Sequence, residues 1–327
     1  MPLRWKRRGD GVIGGLRALF EIIRVYRREW PNILYHVALK PALFGGIASR
    51  LVFLGSEKPA VISAVMGLGT SARAPWRRHM LGWALGLAAG NGRVIVQNPE
   101  DGAALAGFGF ASGRISLIRG SGVDTAHFAA QTGPEGRTIA LVGRMLRSKG
   151  VLDAVAAVRR LRADGLAVDL LLAGAADPDS RDSLSDDELA ALAREPGIEW
   201  LGHVEDVRTV WRRAAIALLP SSYGEGVPKA LLEAASCGRP IIASDTPGCR
   251  DVVIDGETGL LVASGDVLAL AEAIRRLASD PVLRARMGGA GRARIVSEFG
   301  ETRIAEQTLT LLRLALREQG MGKTLSC

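Results

Sequence analysis

Ser222-Tyr223-Gly224-Glu225-Gly226-Val227-Pro228-Lys229-Ala230-Leu231-Leu232-Glu233-Ala234-Ala235 is a glycine-flanked acidic loop that runs straight into a helix. Gly224 and Gly226 let the backbone approach a ligand closely, and Pro228 suits a first helical turn, where a missing N–H costs nothing. The loop therefore offers amides to an anion. At about 100° per residue, Glu233 falls in the second turn, behind the positive end of the helix. One acid, Glu225, can meet the far end of a ligand, and the other a polyol nearer the helix. That layout suits a nucleotide sugar, with hexose hydroxyls at Glu225, the diphosphate on the amides and the ribose at Glu233.

The surroundings of this stretch give the fold class. From Arg137 onward short β-rich runs alternate with longer amphipathic helices, the pattern of a doubly wound parallel sheet. Residues 138–142, 168–173, 198–201, 216–219 and 240–243 are predicted strands, and 148–163, 227–236, 266–277 and 281–298 helices, with Ser148 as an N-cap and Gly238 closing the helix that carries Glu233. The front of the chain has the same rhythm: helix 16–30, strand 32–36, helix 42–51, strands 60–65 and 94–97. It starts without a strand and glycine-rich turn before Leu16, so one or two βαβ-like units of ~30 residues are expected to be missing. The expected organisation is an incomplete first Rossmann-like domain over 1–126, a second over 127–303, and a helix in 304–327 that packs back across the molecule.

Composition narrows the classes. The 327 residues exceed one ordinary core, and 48% hydrophobic with 23% charged residues excludes a disordered chain. Apolar runs such as 80–89 fall short of the ~20 residues that cross a bilayer. Arg4, Lys6, Arg7, Arg8 and Asp10 lead into an amphipathic segment and not into the apolar core of a signal peptide. Cys237, Cys249 and Cys327 form neither a metal cluster nor a disulfide framework, so a reducing cytoplasm is the expected setting. Residues 1–130 hold 17 Lys+Arg and 7 Asp+Glu, whereas residues 131–327 hold 25 and 27. A basic front half fits an anionic membrane surface or a lipid-phosphate substrate; nucleic acid is disfavoured because base-reading motifs and aromatic platforms are absent.

A second informative piece is Val142-Gly143-Arg144-Met145-Leu146-Arg147-Ser148-Lys149-Gly150, in which Arg144 follows a strand and Lys149 opens a helix. Both side chains project from the carboxyl edge of the sheet, where open α/β folds bind ligands. Two cations there neutralise a diphosphate, the arginine through directed hydrogen bonds and the lysine as a compact charge. Followed some eighty residues later by the glutamate pair, the piece becomes specific.

With these motifs the chain resembles the GT-B glycosyltransferases, in particular the large retaining family 4. The matching pieces are Gly143-Arg144 with Lys149-Gly150, Gly224-Glu225-Gly226-Val227-Pro228 through Leu232-Glu233-Ala234, Gly238-Arg239-Pro240, Pro247-Gly248 and Asp255-Gly256-Glu257-Thr258-Gly259. Gly122-Val123-Asp124 with Phe128 is similar to the family's interdomain hinge. His36 through Lys40-Pro41, then Gly45, resembles its capsule, O-antigen and exopolysaccharide-assembling members.

The resemblance implies an α/β GT-B fold of two Rossmann-like domains and a retaining transfer of a hexose or N-acetylhexosamine. The donor is a UDP- or GDP-sugar and the acceptor a lipid-linked or growing polysaccharide; the expected location is the cytoplasm, with a peripheral place on the inner face of the plasma membrane as the option that the basic front half leaves open. It implies Arg144, Lys149 and Glu225 as the catalytic set, with Gly143, Val204, Gly224, Gly226, Val227, Leu232 and Glu233 completing the donor site. The departing phosphate takes the acceptor proton, so neither a protein nucleophile nor a metal or other cofactor is expected.

Other readings stay open. His36 and Lys40 are either structural or contacts on the acceptor or donor side. Asp177-Pro178-Asp179 has the look of a metal-binding pair but sits in a Ser/Asp-rich loop and is expected to be a solvated turn. Residues 73–86, with Trp76, Arg77, Arg78 and Trp83, form either a helix with inward tryptophans or an interfacial one. Met66 stands where many relatives have a histidine that contacts the donor sugar, so that contact is not carried over. With this and the short front domain, the alternative function is a catalytically inactive, truncated nucleotide-sugar-binding protein.

Overall fold

The structure is a computed structural model that describes residues 11–55, 58–65, 75–90, 92–223 and 226–320. It divides into two compact units, one formed by the chain up to Arg119 and again from Ile304, the other by Gly120–Arg303.

The first unit contains, in order, α1 (Gly11–Glu29), β1 (Ile33–Val37), α2 (Leu39–Val52), β2 (Ala60–Val65), α3 (Pro75–Ala89), β3 (Arg93–Val96), α4 (Pro99–Gly107) and β4 (Ile115–Leu117). Among the described residues its sheet is four parallel strands in the order β1-β2-β3-β4. The sequence reading leaves out α4, although Asn98-Pro99 is a start signal: the Asn98 side chain accepts the Asp101 amide at 2.7 Å, with Pro99 in the first turn.

The second unit contains β5 (Thr138–Val142), α5 (Val151–Ala163), β6 (Asp169–Ala173), α6 (Asp186–Leu192), β7 (Ile198–Gly202), α7 (Arg208–Arg213), β8 (Ile216–Leu219), α8 (Lys229–Ser236), β9 (Ile241–Ser244), α9 (Pro247–Val252), β10 (Gly259–Val262), α10 (Val267–Ser279) and α11 (Pro281–Glu298). The last helix, α12 (Glu301–Glu318), groups from Ile304 onward with the first unit. There Ile304, Leu311 and Leu316 pack with Ala60, Ile62 and Ala64, while Ala42, Leu85 and Leu105 form a separate cluster with Val65, Val94 and Val96.

The second unit's parallel sheet has the order β10-β9-β8-β5-β6-β7. The chain enters at the centre with β5, builds outward to β7, then returns to the other side of β5 with β8. The strands inside the sheet, β5, β6, β8 and β9, are buried on both faces over most of their length, which explains their apolar runs, whereas the edge strand β7 exposes Glu199. Ile139 and Leu141 join one cluster with Val151, Val155 and Ile274, whereas Ala140 and Val142 join another with Trp211, Leu231 and Phe299.

Two predicted helix starts are corrected. Residues 147–149 form a separate single 3-10 turn, and α5 begins after Gly150, whose φ of 75° is left-handed. The reason is that Asp182 captures Ser148: its carboxylate accepts the Ser148 amide at 3.1 Å and also the hydroxyl. Likewise α8 begins at Lys229, with Pro228 extended at the N-cap position instead of inside the first turn.

Candidate active site

In an open parallel sheet the crevice for ligands lies outside the carboxyl ends of the strands, where the strand order reverses. Here the reversal falls between β5 and β8. The loops leaving those two strands are the two the sequence singles out, the cationic segment 143–150 and the acidic segment 220–228.

Backbone contacts lock the loops together. The Ser222 amide donates to the Ser148 carbonyl at 2.8 Å, and the Ser221 and Ser222 hydroxyls reach the same oxygen at 3.2 and 3.3 Å. At Gly150 a Cβ would stand 2.1 Å from the Pro220 carbonyl oxygen, so the approach of the loops requires glycine there both sterically and for its φ. Gly174, after β6, is held as closely: a Cβ there would lie 1.7 Å from the Gly143 carbonyl oxygen. The sequence reading passes over Gly174, Tyr223 and Asp182, since only the packing of loops distant in sequence gives them a part.

Lys149 closes the 3-10 turn and does not open a helix; its ammonium lies 5.7 Å from the centre of the Tyr223 ring, within cation–π range. The cation is thus drawn toward the chain that continues into α8. Arg144 is half-exposed and donates from Nη1 to Asp177 Oδ2 at 2.5 Å. Residues 177–180 do form a turn, closed by the Ser180 amide on the Asp177 carbonyl at 2.8 Å and exposed at Pro178 and Asp179, but the Asp177 side chain is largely buried as the partner of a site cation; Ser183 Oγ holds its amide at 2.8 Å. With only one acid placed on it, the 177–179 segment joins no metal-type group among the described residues.

Glu233 is the fifth residue of α8, in its second turn, and only 9% exposed. Burial pushes its carboxyl pKa up, and Lys229, one turn earlier, opposes the shift. A half-desolvated carboxylate behind a helix amino end is a strong hydrogen-bond acceptor with a deficit of partners, chemistry suited to paired hydroxyls. Leu232 is buried within the core cluster of α8, while Val204, just beyond β7, and Val227 are half-buried on the edge of that cluster. Gly226 and Val227 lie in the turn leading to Pro228. Gly224 and Glu225 lie outside the described residues, as does Met66.

His36 and Lys40 belong to the first unit. His36, on β1, is buried, with Tyr26 Oη 2.9 Å from Nε2 and Ser63 Oγ 3.2 Å from Nδ1. Burial lowers its pKa to about 4, so the ring is neutral at physiological pH. Gly45 gives it room, since a Cβ there would come within 2.5 Å of Nε2. Both ring nitrogens being occupied favours the structural alternative. Lys40 is exposed in the first turn of α2.

Residues 136–280 match the family model described as glycosyl transferases group 1. The chain is 40% identical over 183 residues to the α-maltose-1-phosphate synthase of Mycobacterium tuberculosis; the match covers 53% of this chain and 46% of that protein, so it spans under half of the relative. It is 24% identical over 330 residues to the capsular polysaccharide biosynthesis glycosyltransferase CapM of Staphylococcus aureus, covering 95% and 84% of the two chains. Among solved structures, HepE of Anabaena in complex with UDP superposes with a TM-score of 0.75 at 18% identity, over 92% of this chain and 83% of that one.

Proposed function

Taking residues 136–280 as a group 1 glycosyltransferase domain in a GT-B fold, we propose that this protein transfers a hexose or N-acetylhexosamine from a UDP- or GDP-sugar to a lipid-linked or growing polysaccharide acceptor, with retention of anomeric configuration. The observation that carries the reading is the meeting of the β5 and β8 loops at the reversal of strand order, with Lys149 over Tyr223 and the Ser222 amide on the Ser148 carbonyl. The capsular polysaccharide biosynthesis role of CapM supports a polysaccharide-type acceptor, and HepE, solved with UDP and with UDP-glucose, supports a nucleotide-sugar donor.

In this reading Arg144, Lys149 and the amino end of α8, with Gly143, Gly226 and Val227 close to the phosphates, hold the diphosphate. Glu233 accepts hydrogen bonds from the ribose hydroxyls, Val204 lines the base, and Glu225 meets the donor sugar. The catalytic task is to stabilise the negative charge that grows on the leaving diphosphate, and fixed cations and amides do this without reorganising during reaction. The departing phosphate oxygen takes the acceptor proton, so the chain needs to supply neither a nucleophile nor a metal. A lipid-linked acceptor would place the protein on the inner face of the plasma membrane.

Calorimetry with UDP and turnover of UDP- and GDP-sugars test the reading. Lys149→Ala and Glu233→Ala should each abolish transfer, and undiminished turnover in both would sink it. Tight UDP binding with no turnover on any acceptor would favour the inactive nucleotide-sugar-binding alternative.

A further inference from the structure

The helices of the first unit carry apolar side chains on the side facing solvent. On α2 and just past its end these are Ile47, Leu51 and Leu54; on α3 they are Met80, Trp83 and Leu87. Leu54 is 80% and Trp83 69% exposed. Spacings of three and four residues put Met80, Trp83 and Leu87 on one face of α3 and Ile47 and Leu51 on one face of α2, with Leu54 just past its end. The two faces adjoin, because Arg50, on α2, donates to the Leu87 carbonyl at 2.7 Å, and Gly46 leaves its Cβ space to the Ala88 carbonyl oxygen. Singly exposed apolar side chains are ordinary, but two neighbouring helices presenting a shared stripe are not.

Charge selects what covers the stripe. Of the described side chains near the stripe, Lys40, Arg50 and Lys58 are basic, while Arg93 is paired with Glu318. Arg50 and Lys58 also line, with Leu54, a cleft of about 270 Å³ beside the stripe. A second copy meeting this face through a twofold axis would set basic against basic, since such an interface pairs a surface with itself. An anionic lipid leaflet reverses that sign. It also accommodates an exposed tryptophan at the boundary between headgroups and acyl chains. No helix among the described residues is long and apolar enough to cross a membrane, so this contact lies on the bilayer.

We propose that the solvent-facing side of α2 and α3 is a docking surface for anionic phospholipid, with Ile47, Leu51, Leu54, Met80, Trp83 and Leu87 entering the headgroup boundary and the Arg50–Lys58 cleft taking a lipid phosphate. The proposal deepens, and rests on, the reading of a lipid-linked acceptor by naming the surface that meets the leaflet. Its assay needs neither sugar nor acceptor, so failure of transfer and failure of docking are read separately.

The test is co-sedimentation of the full chain with vesicles of phosphatidylcholine alone and of phosphatidylcholine with phosphatidylglycerol, alongside UDP calorimetry. The expected result is binding to the anionic vesicles only, weakened at least tenfold by Leu54→Glu with Trp83→Glu and also by the milder Lys58→Glu, while UDP affinity stays unchanged. Lys58→Glu stays informative if the double variant does not fold. Absence of binding, equal binding to both vesicle types, or full binding by folded variants would overturn the proposal. So would a concentration-dependent dimer in light scattering that the same substitutions dissolve, which would assign the face to a second copy.

Discussion

The two units use the same parallel βα units to different ends. In the second, the chain starts mid-sheet and doubles back, so the loops after β5 and β8 leave adjacent strands at the reversal of strand order and meet there. In the first, neighbours in the chain are neighbours in the sheet, and the described strands contain no reversal. One buried titratable group from each unit illustrates the contrast. The second unit buries a carboxylate, Glu233, at the mouth of its crevice, whereas the first buries a neutral imidazole, His36, between Tyr26 and Ser63. A half-satisfied charge is tolerated where a ligand can complete it; a group with all partners supplied by the chain is part of the scaffold.

That contrast is open to direct attack. The largest expected effect is at the crevice: Lys149→Ala should lower turnover by about 10²- to 10³-fold or more, the usual loss for a group stabilising developing charge, and Glu233→Ala should abolish transfer through lost hold on the ribose hydroxyls. A comparable loss from Lys40→Ala would erase the distinction between the units. Glu233→Gln should separate function from stability. Because burial raises this carboxyl's pKa, ionising it costs stability as pH rises above the ordinary carboxylate range, so the amide should raise the melting temperature at neutral pH while weakening UDP binding.

Gly150→Ala comes next. A left-handed φ and a Cβ driven against the Pro220 carbonyl should cost on the order of 3 kcal/mol in urea unfolding of the second unit and loosen the UDP site with it. His36 makes the matching claim for the first unit. Its folded pKa of about 4 lies below the ordinary value of 6.5, so the unfolded chain binds the proton first as pH falls. Stability conferred at neutral pH should therefore decline from about pH 6.5 toward pH 4, by on the order of 3 kcal/mol, and His36→Gln should flatten that part of the pH profile. A profile identical in the variant would mean that His36 is not the buried neutral ring described. The smallest effect is expected from Asp177→Asn. Releasing the half-exposed Arg144 from a competing carboxylate should tighten UDP binding by up to about fivefold, in keeping with the ~1 kcal/mol ceiling for such pairs.

Much of the second unit was legible because its signals are local. Strands buried on both faces give unbroken apolar runs such as 138–142 and 216–219, and α11 is predicted over its full observed span, 281–298. Some errors were local, as with α4, whose Asn98-Pro99 start was passed over, and others arose where a distant residue intervenes. Ser148 has the sequence of a helix cap, but Asp182, thirty-four positions away, takes its amide and hydroxyl, and the helix starts later. Asp177 opens the expected exposed turn, but its side chain, read as solvated, is found against Arg144. Trp83 fits either an inward or an outward face, since the α3 segment is apolar on more than one side, and only packing decides that it faces outward.

By itself the sequence determined the alternation of strands and helices, the two loops that bear the chemistry, and the second-turn position of Glu233. All of these follow from residue spacing along a chain with fixed rise and rotation per residue. The tertiary structure alone decided that the two loops leave adjacent strands where the sheet order reverses, that Asp177 occupies Arg144, and that His36 is enclosed. Each depends on which distant segments share a sheet edge or a core, and that is settled by the collective burial of apolar faces and not by any local run of residues.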